Sequence, residues 1–280
     1  MTGALIDRYD LVILDLDGVV YLGDQPVAGA REALDQLRRH GTARAYATNN
    51  ASRRATDVAA LLTGLGVPAE AGEVITSAQA SAAVLAERLP AGSPVLVVGA
   101  PALAAEIADV GLRPVRSADE KPAAVVQGYG PQVGWAQLAE ASVAIRAGAI
   151  WVATNTDRTL PSPRGPLPGN GSLVAALATA LNRRPDVVVG KPEPTLFQHL
   201  ARVRAAKRPL VVGDRIDTDV EGANRAGMDS LLVLTGVSQL ADLADAPAQQ
   251  RPTYVAADLT GLFADPDEVR TDRDWGRAGR

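Results

Sequence analysis

Short runs of valine, isoleucine and leucine alternate with alanine-rich segments of helical periodicity along most of the 280-residue chain. Apolar runs bounded by turn residues and separated by helical patterns are typical of β-α-β units, in which consecutive strands lie parallel. The sequence therefore predicts an α/β protein built on a doubly wound parallel sheet. The predicted strands span residues 11–15, 43–48, 94–99, 123–128, 150–155, 186–190, 210–214 and 230–236. The predicted helices span residues 28–39, 54–65, 77–89, 137–147, 172–182 and 194–205.

The composition narrows the chemistry available to such a fold. The chain has 28 basic and 32 acidic residues, a net charge of −4, which gives no electrostatic basis for binding nucleic acid or an anionic membrane. Cysteine is absent, which excludes disulfides, thiolate nucleophiles and zinc–thiolate sites, and the presence of only two histidines argues against a histidine-based metal cluster. We therefore expect a small-molecule partner, and catalysis that rests on carboxylates, hydroxyls, amides or lysine.

The N-terminal stretch MTGALIDRYD has no basic start followed by a long apolar segment. No later apolar run reaches the length of a transmembrane helix. The sequence therefore predicts a cytoplasmic protein.

Two carboxylates stand at the end of the first predicted strand, in the stretch LVILDLDGVV. Ligands of an open parallel sheet bind beyond the carboxyl ends of its strands, so Asp15 and Asp17 lie where a site is expected. Gly18 permits a sharp exit from the strand, which lets the backbone and both carboxylates approach one small ligand. Taken alone, however, the stretch is better explained as a polar turn.

Three more predicted strands end in polar residues. Each has a simple structural explanation, such as a helix cap or a solvated lysine. Together, two carboxylates, a hydroxyl, an ammonium group and a further acidic group at four strand ends would form a site for a phosphate group and a hard divalent cation. The residues concerned are Thr48, Asn49 and Asn50 after the second strand, Gly190 and Lys191 after the sixth, and Asp214, Asp217 and Asp219 after the seventh.

In their order and spacing, these four motifs resemble those of the haloacid dehalogenase superfamily of phosphatases. The resemblance runs from about Tyr9 to Leu262, and its motifs are Asp15-Leu16-Asp17-Gly18, Thr48-Asn49-Asn50, Gly190-Lys191-Pro192 and Gly213-Asp214-Arg215-Ile216-Asp217-Thr218-Asp219. The stretches VVQGY, WVATNTD and PLPGNGSLVAAL are similar to subclass IIA. That branch includes 4-nitrophenylphosphatase-like, phosphoglycolate, pyridoxal phosphate and glycerol 3-phosphate phosphatases.

The resemblance implies a Rossmann-like core with an inserted α/β cap domain. The core would comprise residues 1–80 and 185–264, and the C2-type cap residues 81–184, because the superfamily inserts this cap between the second and third motifs. Residues 265–280 are charged and weakly periodic, which predicts a loosely held tail. The chain has Gly130 where many relatives carry an acidic residue at or near this position, so substrate details are not transferred.

The residue types of these motifs suit phosphoryl transfer. A carboxylate can attack phosphorus and form an aspartyl-phosphate, which divides one difficult displacement into two steps, and we assign this role to Asp15. A second carboxyl group two residues further on can protonate the departing alkoxide and then take a proton from the attacking water. We assign this role to Asp17.

Mg²⁺ is the cofactor that such a site implies. Several anions that meet at a phosphate group repel it unless a cation intervenes, and a site of oxygen ligands favours Mg²⁺. The resemblance implies that its ligands are the Asp15 carboxylate, the Asp17 backbone carbonyl and Asp214. It places Asp219 beyond the direct ligands and leaves the role of Asp217 open.

The charge on the phosphoryl oxygens also needs hydrogen-bond donors. We expect these donors from Thr48, from the backbone around Asn49 and from the Lys191 ammonium group. Asn50, which completes the second motif, is a further candidate for substrate binding.

A domain above such a site can exclude stray water, admit the substrate and select the leaving group. The predicted cap contains the proline-rich and glycine-rich loop NTDRTLPSPRGPLPGNGS, which is equally consistent with a pocket wall and with an ordinary connector. Asn155, Asp157 and Arg158 in this loop are candidates for substrate contact. Trp135 and Trp151 are expected to fill the core of the cap.

A pocket under a cap suits small metabolites better than phosphoproteins, whose backbone would collide with the lid. Phosphoglycolate would require an additional cation for its carboxylate, and pyridoxal phosphate would favour an aromatic or histidine wall. The loop carries Arg158 and Arg164 as its only cations, with no aromatic residue or histidine. The sequence therefore favours glycerol 3-phosphate, with phosphoglycolate, pyridoxal phosphate, nucleotide and sugar phosphates as alternatives.

Receiver-type signalling modules are an alternative from another class, because they also combine a phosphoacceptor aspartate, Mg²⁺, a threonine and a lysine on a doubly wound sheet. Such a module has no need of Asp17 as general acid and base, nor of a large cap. A degenerate phosphate-binding protein is disfavoured because all four motifs are filled. A phosphomutase would form a stable phosphoenzyme and need a bisphosphate activator. The resemblance also suggests a homodimer formed through the cap.

Overall fold

The computed structural model describes residues 3–160, 162 and 164–271. In this part of the chain the residues form two compact units. The first unit contains the described residues of Met1–Ala47, Ala59–Val74 and Lys191–Arg280, and the second contains those of Thr48–Val58 and Ile75–Gly190.

Strands and helices alternate along the described chain. The strands are β1 (Leu11–Leu14), β2 (Tyr21–Leu22), β3 (Gln25–Pro26), β4 (Ala43–Thr48), β5 (Val74–Thr76), β6 (Pro94–Val98), β7 (Arg113–Val115), β8 (Ala124–Gln127), β9 (Ile150–Ala153), β10 (Thr159–Leu160), β11 (Leu167–Pro168), β12 (Val187–Val188), β13 (Pro209–Gly213), β14 (Asp229–Val233) and β15 (Tyr254–Ala256). The α-helices are α1 (Ala30–His40), α2 (Ala55–Gly64), α3 (Ser77–Ala86), α4 (Pro101–Asp109), α5 (Trp135–Arg146), α6 (Asn170–Leu181), α7 (Thr195–Val203), α8 (Glu221–Ala226) and α9 (Pro266–Val269).

A six-stranded sheet with the order β15-β14-β13-β1-β4-β5 supplies most of the strands of the first unit. β1 pairs in parallel with β13 on one side and with β4 on the other. All four residues of β1 are buried, as expected for a parallel strand covered on both faces. Its central place brings the carboxyl end of β1 beside that of β13, which is where the sequence puts acidic residues.

A five-stranded sheet with the order β12-β9-β8-β6-β7 organises the second unit, and each of its neighbouring strands pairs in parallel. Trp151 on β9 is fully buried in the hydrophobic core of this unit, as predicted. The same prediction is wrong for Trp135, whose exposed fraction is 84%. Trp135 is the first residue of α5, where its side chain remains outside the core.

The predicted α/β class with a parallel-sheet core is confirmed. Most predicted elements occur within a few residues of their expected bounds, and β4 has the predicted bounds. Among the described elements, the predicted strands and helices omit ten: β2, β3, β5, β7, β10, β11, β15, α4, α8 and α9. β5, β7 and β15 have three residues each, and β7 contains a proline, so none of them offers a strand pattern that can be read from sequence.

The first residues of the predicted loose tail are packed. Pro266 and Val269 of α9 are buried, and the Thr271 hydroxyl donates hydrogen bonds to the carbonyls of Pro252 and Thr253. Residues 272–280 of the predicted tail lie outside the described residues. Within the described residues, no helix has both the length and the apolar character needed to cross a membrane.

Candidate active site

Asp15 follows β1 directly and is held by a buried lysine. The Asp15 backbone N–H donates to the Val212 carbonyl at 2.9 Å, which extends the parallel pairing of β1 and β13 by one residue. The Lys191 Nζ lies 2.6 Å from Asp15 Oδ1 and 2.6 Å from Asp219 Oδ1. Only 4% of the Lys191 side chain is exposed, so one ammonium group joins two carboxylates away from solvent.

Asp214 brings a third carboxylate to this place from the end of β13. Carboxylate oxygens of Asp15, Asp214 and Asp219 all lie within 4.8 Å of one another. We call these three residues together with Lys191 the acidic cluster. The structure thus brings together Asp15, Lys191 and Asp214, which the sequence analysis assigned to one site, and adds Asp219 as the second partner of the lysine.

The two oxygens of Asp214 have different surroundings. Oδ2 accepts a hydrogen bond of 2.7 Å from the Val237 backbone N–H. Oδ1 is buried and has no hydrogen-bond partner among the described residues. A buried polar atom without a partner is rare in proteins and calls for a ligand, and carboxylate oxygens are what a hard divalent cation binds. The donor set therefore fits Mg²⁺.

Electrostatics lead to the same conclusion. Burial raises the pKa of the Asp15 carboxyl to about 8, with Lys191 opposing the rise and Asp219 and Asp214 adding to it. Burial also raises the pKa of Asp214 to about 6, with a further contribution from Asp219. Burial alone would lower the pKa of Lys191, but Asp15 and Asp219 outweigh it and raise that pKa. One lysine does not balance three carboxylates that are largely withdrawn from solvent, so a further cation would stabilise their ionised forms.

Three glycines provide the space for the acidic cluster, because they carry no side chain beside it. Gly18 has a φ of 81°, a left-handed conformation, and a Cβ there would overlap the Asp214 carboxylate. A Cβ on Gly236 would overlap the same carboxylate, and one on Gly213 would overlap the Asp219 side chain. Two turns and the end of β13 therefore approach the carboxylates at backbone distance.

The segment after β13 separates the roles of Asp217 and Asp219. It forms a π-helical turn, Ile216–Val220, in which Asp219 Oδ2 accepts a hydrogen bond of 3.2 Å from the Arg215 backbone N–H. The Arg215 side chain donates to both oxygens of the exposed Asp217 and lowers its pKa. Asp219 therefore positions Lys191, while Asp217 forms a surface ion pair.

Asp17 lies in the turn that leaves β1, and its side chain is exposed. The turn is closed by the Gly18 N–H, which donates to the Tyr21 carbonyl at 2.8 Å. The Thr235 hydroxyl donates to the Gly18 carbonyl at 2.6 Å. These bonds fix the backbone beside Asp17, whose side chain is exposed.

Thr48, Asn49 and Asn50 belong to the second unit. Thr48 is buried at the end of β4, and its Oγ1 accepts a hydrogen bond of 3.1 Å from the Asn50 N–H. Asn50 is exposed, and its Oδ1 accepts from the N–H of Ser52 at 2.8 Å and from the Ser52 hydroxyl at 2.7 Å. Short-range bonds of this kind hold a turn in one conformation.

Asn155 and Asp157, the candidates from the proline-rich loop, contact Asn49. The Asn49 Nδ2 donates to Asp157 Oδ1 and Oδ2 at 3.2 and 3.1 Å. The Asn155 Nδ2 donates to the Asn49 carbonyl at 2.7 Å, and its Oδ1 accepts from the Asp157 N–H at 3.2 Å. Asn155 is buried, and both the Nδ2 and the Oδ1 of its amide are hydrogen-bonded within the protein. Arg158, in contrast, is exposed.

Two further residues of this network were missed by the sequence analysis. The Ser77 hydroxyl donates to the Asn49 carbonyl at 2.6 Å, and the Asn170 Nδ2 donates to the Asn155 carbonyl at 2.7 Å. The capping box of α3, Thr76 with Gln79, predicts that a helix starts at Ser77, but not what its hydroxyl contacts. We call the network the amide cluster; its members are Asn49, Ser77, Asn155, Asp157 and Asn170.

Two family models match the chain. A model described as a haloacid dehalogenase-like hydrolase matches residues 12–113, and one described as HAD-hydrolase-like matches residues 188–262. Together they span more than half of the sequence and include the four motifs. The chain belongs to the haloacid dehalogenase-like hydrolases. The family resemblance that the motifs indicated is confirmed.

Among haloacid dehalogenase-like hydrolases, the chain is similar to known phosphatases over nearly its whole length. It is 51% identical to D-glycerol 3-phosphate phosphatase of Mycobacterium tuberculosis over 262 residues, which is 94% of this chain and 73% of that protein. It is 34% identical to acid sugar phosphatase of Staphylococcus aureus over 260 residues, which is 92% of this chain and 98% of that protein.

Solved structures of haloacid dehalogenase-like hydrolases agree with the fold. The structure of glycerol phosphate phosphatase from Mycobacterium tuberculosis in complex with magnesium superposes with a TM-score of 0.93 at 49% identity, and the match covers 96% of this chain and 81% of that one. The 4-nitrophenylphosphatase of Thermotoga maritima superposes with a TM-score of 0.85 at 32% identity, covering 92% of this chain and 98% of that one.

Proposed function

We propose that the protein is a Mg²⁺-dependent phosphatase that hydrolyses small phosphorylated metabolites through an aspartyl-phosphate on Asp15. The observation that carries the proposal is the acidic cluster. Lys191 holds the Asp15 carboxylate 2.6 Å away, beside an Asp214 oxygen that has no partner among the described residues. A fixed carboxylate next to a cation site at the carboxyl end of a parallel strand is suited to attack on phosphorus.

The reaction has two displacements at phosphorus. In the first, an Asp15 carboxylate oxygen attacks, the bond from phosphorus to the alcohol oxygen breaks, and Asp17 protonates the leaving alkoxide. In the second, Asp17 takes a proton from a water molecule as this water attacks the same phosphorus. The acyl-phosphate bond breaks, inorganic phosphate is released, and the Asp15 carboxylate and the Asp17 acid are restored.

Mg²⁺ would be held by the carboxylates of Asp15 and Asp214 and by the Asp17 backbone carbonyl. When bound, it supplies positive charge that offsets the repulsion between these carboxylates and the phosphoryl oxygens. The buried Asp214 Oδ1 and the raised pKa of Asp15, about 8, support this assignment. Asp219 holds Lys191, whose ammonium group stabilises the charge of the transferring phosphoryl group.

The second motif is assigned to the transferring phosphoryl group as well. Thr48 and the backbone of Asn49 donate to the phosphoryl oxygens, with Asn50 as the adjoining residue. Residues 81–184 form the cap, in which Arg158, an exposed cation of the second unit, is the candidate for contact with the leaving group. A cytoplasmic location and a homodimer formed through the cap remain predictions.

Glycerol 3-phosphate is the proposed substrate. The 51% identity with D-glycerol 3-phosphate phosphatase of Mycobacterium tuberculosis supports it, as does the absence of aromatic residues and histidine from the proline-rich loop. Acid sugar phosphatase and 4-nitrophenylphosphatase are more distant relatives, with 34% and 32% identity. We therefore rank sugar phosphates, phosphoglycolate, pyridoxal phosphate and nucleotides below glycerol 3-phosphate.

The test is steady-state phosphate release by the wild type and by Asp15→Asn, with Mg²⁺ present. An amide neither attacks phosphorus nor binds the cation comparably, so turnover falls at least about 10⁴-fold in a variant that remains folded. Substantial turnover by the folded variant would move the nucleophile elsewhere. Side-by-side kcat/KM values for glycerol 3-phosphate, phosphoglycolate, pyridoxal phosphate and a hexose phosphate test the substrate. A higher value for any of the last three would overturn glycerol 3-phosphate but not the phosphatase.

A further inference from the structure

The carbonyl of Asn49 accepts two hydrogen bonds from buried side chains. Ser77, the first residue of α3, donates its hydroxyl at 2.6 Å, and Asn155, after β9, donates its Nδ2 at 2.7 Å. Ser77 is fully buried and Asn155 is 4% exposed. A carbonyl held from two separate elements cannot rotate without losing both bonds away from water, so the peptide between Asn49 and Asn50 is fixed in one orientation.

Asn155 is itself held on its remaining polar groups. Its Oδ1 accepts from the Asp157 N–H, and its backbone carbonyl accepts from the Asn170 Nδ2 at 2.7 Å. The Asp157 carboxylate in turn accepts both hydrogen bonds of the Asn49 side-chain amide. The bonds therefore form a closed ring through Asn49, Asn155 and Asp157, anchored at the start of α6 by Asn170.

The amide cluster is also tightly packed. A Cβ on Gly190 would lie 2.5 Å from Asn49 Oδ1, 2.6 Å from the Thr154 carbonyl and 3.0 Å from the Asn155 Cβ. The backbone of Gly190 thus packs directly against the side chains of Asn49 and Asn155 and leaves no space for a side chain of its own. One residue of the second motif, Asn49, thus takes part in four hydrogen bonds and is closely approached by backbone, which exceeds what a surface connector requires.

We propose that Ser77 and Asn155 are positioning residues for phosphoryl transfer. They fix the peptide between Asn49 and Asn50, and the N–H of this peptide donates to Thr48 Oγ1 at 3.1 Å. Through this bond and the adjoining backbone they hold the Thr48–Asn49 donors in the geometry that the phosphoryl group needs at its transition state. The proposal rests on the proposed function, because it concerns donors assigned there to the phosphoryl oxygens. It assigns Asn155 an indirect role in place of contact with the leaving group.

A positioning role has a kinetic signature that a role in folding or in leaving-group binding lacks. Misplaced donors weaken the transition state more than the ground state, so kcat falls while KM changes little. The loss is the same for glycerol 3-phosphate and for 4-nitrophenyl phosphate, because both present the same phosphoryl group. Inhibition by orthovanadate, which adopts the five-coordinate geometry of the transferring phosphoryl group, weakens in parallel with kcat.

Ser77→Ala and its control Ser81→Ala are a matched pair. Both serines are fully buried on α3 and donate to backbone carbonyls, but Ser81 donates to Ser77 within the helix. We expect Ser77→Ala to lower kcat about three- to tenfold on both esters, with KM within about twofold of the wild-type value. We expect Ser81→Ala to keep wild-type kcat and vanadate inhibition. Equal losses in both variants would overturn the proposal in favour of helix packing, as would wild-type kinetics in folded Ser77→Ala.

Asn155→Ala is compared with Asn224→Ala, because the Asn224 amide also bridges backbone carbonyls, those of Gln249 and Arg251, in the first unit. We expect Asn155→Ala to lose about three- to tenfold in kcat on both esters and Asn224→Ala to match the wild type. A loss confined to glycerol 3-phosphate would overturn the positioning role and restore leaving-group contact. Ser77→Ala decides the question alone if Asn155→Ala does not fold.

The double variant tests the shared acceptor. One remaining donor still orients the Asn49 carbonyl, so Ser77→Ala with Asn155→Ala loses more kcat than the product of the single losses. Strictly multiplicative losses would overturn the shared clamp. If the wild type and Asp15→Asn released phosphate at the same background rate, the phosphatase proposal would fall, and this inference with it.

Discussion

The acidic cluster of the first unit and the two donors to the Asn49 carbonyl in the amide cluster of the second are both polar side chains withdrawn from water, but they differ in charge. In the acidic cluster, one ammonium group lies 2.6 Å from each of two carboxylates. In the amide cluster, a hydroxyl and an amide donate to a neutral carbonyl at 2.6 and 2.7 Å. The distances are alike, but the consequences of removing a partner are not.

The difference follows from what remains after a deletion. Removing one ion from a buried pair leaves an uncompensated charge in a medium of low dielectric constant, which destabilises a protein by about 3 to 5 kcal/mol. Removing one neutral donor leaves a polar atom short of a partner, which amounts to about 1 to 3 kcal/mol. The acidic cluster should therefore lose both stability and activity when its single cation, Lys191, is removed, whereas loss of one neutral donor should reduce the efficiency of the amide cluster only partly.

The largest expected effect is that of Lys191→Met, which leaves Asp15 and Asp219 without their shared cation. We expect kcat/KM to fall at least about a thousandfold, and the unfolding free energy of the metal-free protein to fall by about 3 kcal/mol. Lys207→Met is the matched control, since Lys207 is exposed. Steady-state kinetics and urea unfolding measure both, and a loss of less than about tenfold would remove the contrast between the clusters.

Gly190→Ala should disrupt the amide cluster more strongly than the loss of a single donor does, and so should bring its effect closer to that of a deletion in the acidic cluster. The new Cβ would lie 2.5 Å from Asn49 Oδ1 and 2.6 Å from the Thr154 carbonyl, so the cluster must shift as a whole. We expect a loss of about 1 to 3 kcal/mol in unfolding free energy, with a reduced kcat. Gly64→Ala, whose Cβ meets nothing within 4 Å, serves as the control. Equal thermal stability of the two variants would show that the amide cluster accommodates the added Cβ without loss of stability, which would contradict the prediction.

The effect of Mg²⁺ on stability should depend on pH through the acidic cluster. The folded-state pKa values of Asp15 and Asp214 are raised from 3.8 to about 8 and about 6. Their contribution to metal-free stability is complete below the unfolded value and is lost as the pH rises through 6 and 8. Mg²⁺ needs the ionised carboxylates, so its stabilising effect should be greater at pH 8 than at pH 6.

We expect the difference between pH 6 and pH 8 to be on the order of 1 to 2 kcal/mol. Thermal unfolding with saturating Mg²⁺ and with chelator at both pH values measures it. Asp15→Asn, which removes the group with the larger shift, should show a weaker dependence on pH. A gain from Mg²⁺ that is equal at both pH values would contradict the assignment of Asp15 and Asp214 as ligands.

The smallest effect is expected for Asp217→Asn, although Asp217 lies only two residues from Asp219. The Asp217 carboxylate is exposed and bound by the Arg215 side chain at 3.0 and 2.7 Å. Exposed ion pairs contribute little, so kcat/KM should stay within about twofold of the wild-type value. A loss of kcat/KM close to that of Lys191→Met would contradict this prediction and would show that Asp217 acts together with the acidic cluster.

The acidic cluster was more accessible to sequence reasoning than the amide cluster. Asp15 and Asp214 follow the buried strands β1 and β13, and the carboxyl ends of these neighbouring parallel strands meet by geometry. Lys191 follows β12 of the other sheet, so its motif and not strand adjacency indicated its place in the site. The contact between Asn49 and Asn155 joins positions 106 residues apart, and no local pattern marks it. The hydroxyl of Ser77 reaches Asn49 because the first residue of α3 packs beside it. This tertiary contact cannot be predicted from the local sequence.

The fold shows the same division. β4 could be predicted residue by residue because Ala43–Thr48, whose last four residues are buried, is bounded by a turn and a polar end. α4 was missed, although Leu103 and Ile107 lie on one buried face four residues apart, because its alanines give little contrast between faces. Predictions succeed where burial imposes a period on the sequence, and they fail where the contrast between faces is small or the element is short.

The three glycines around the acidic cluster also limit how this protein can diversify. Gly18 and Gly236 lie in two different turns and Gly213 ends β13, and any side chain at these positions would overlap Asp214 or Asp219. A library that randomised these positions together with residues 156–160 should return glycine at all three and variety in the loop. Substitutions in the loop could then change which substrate is accepted, whereas single substitutions at the three glycines would disrupt the metal site.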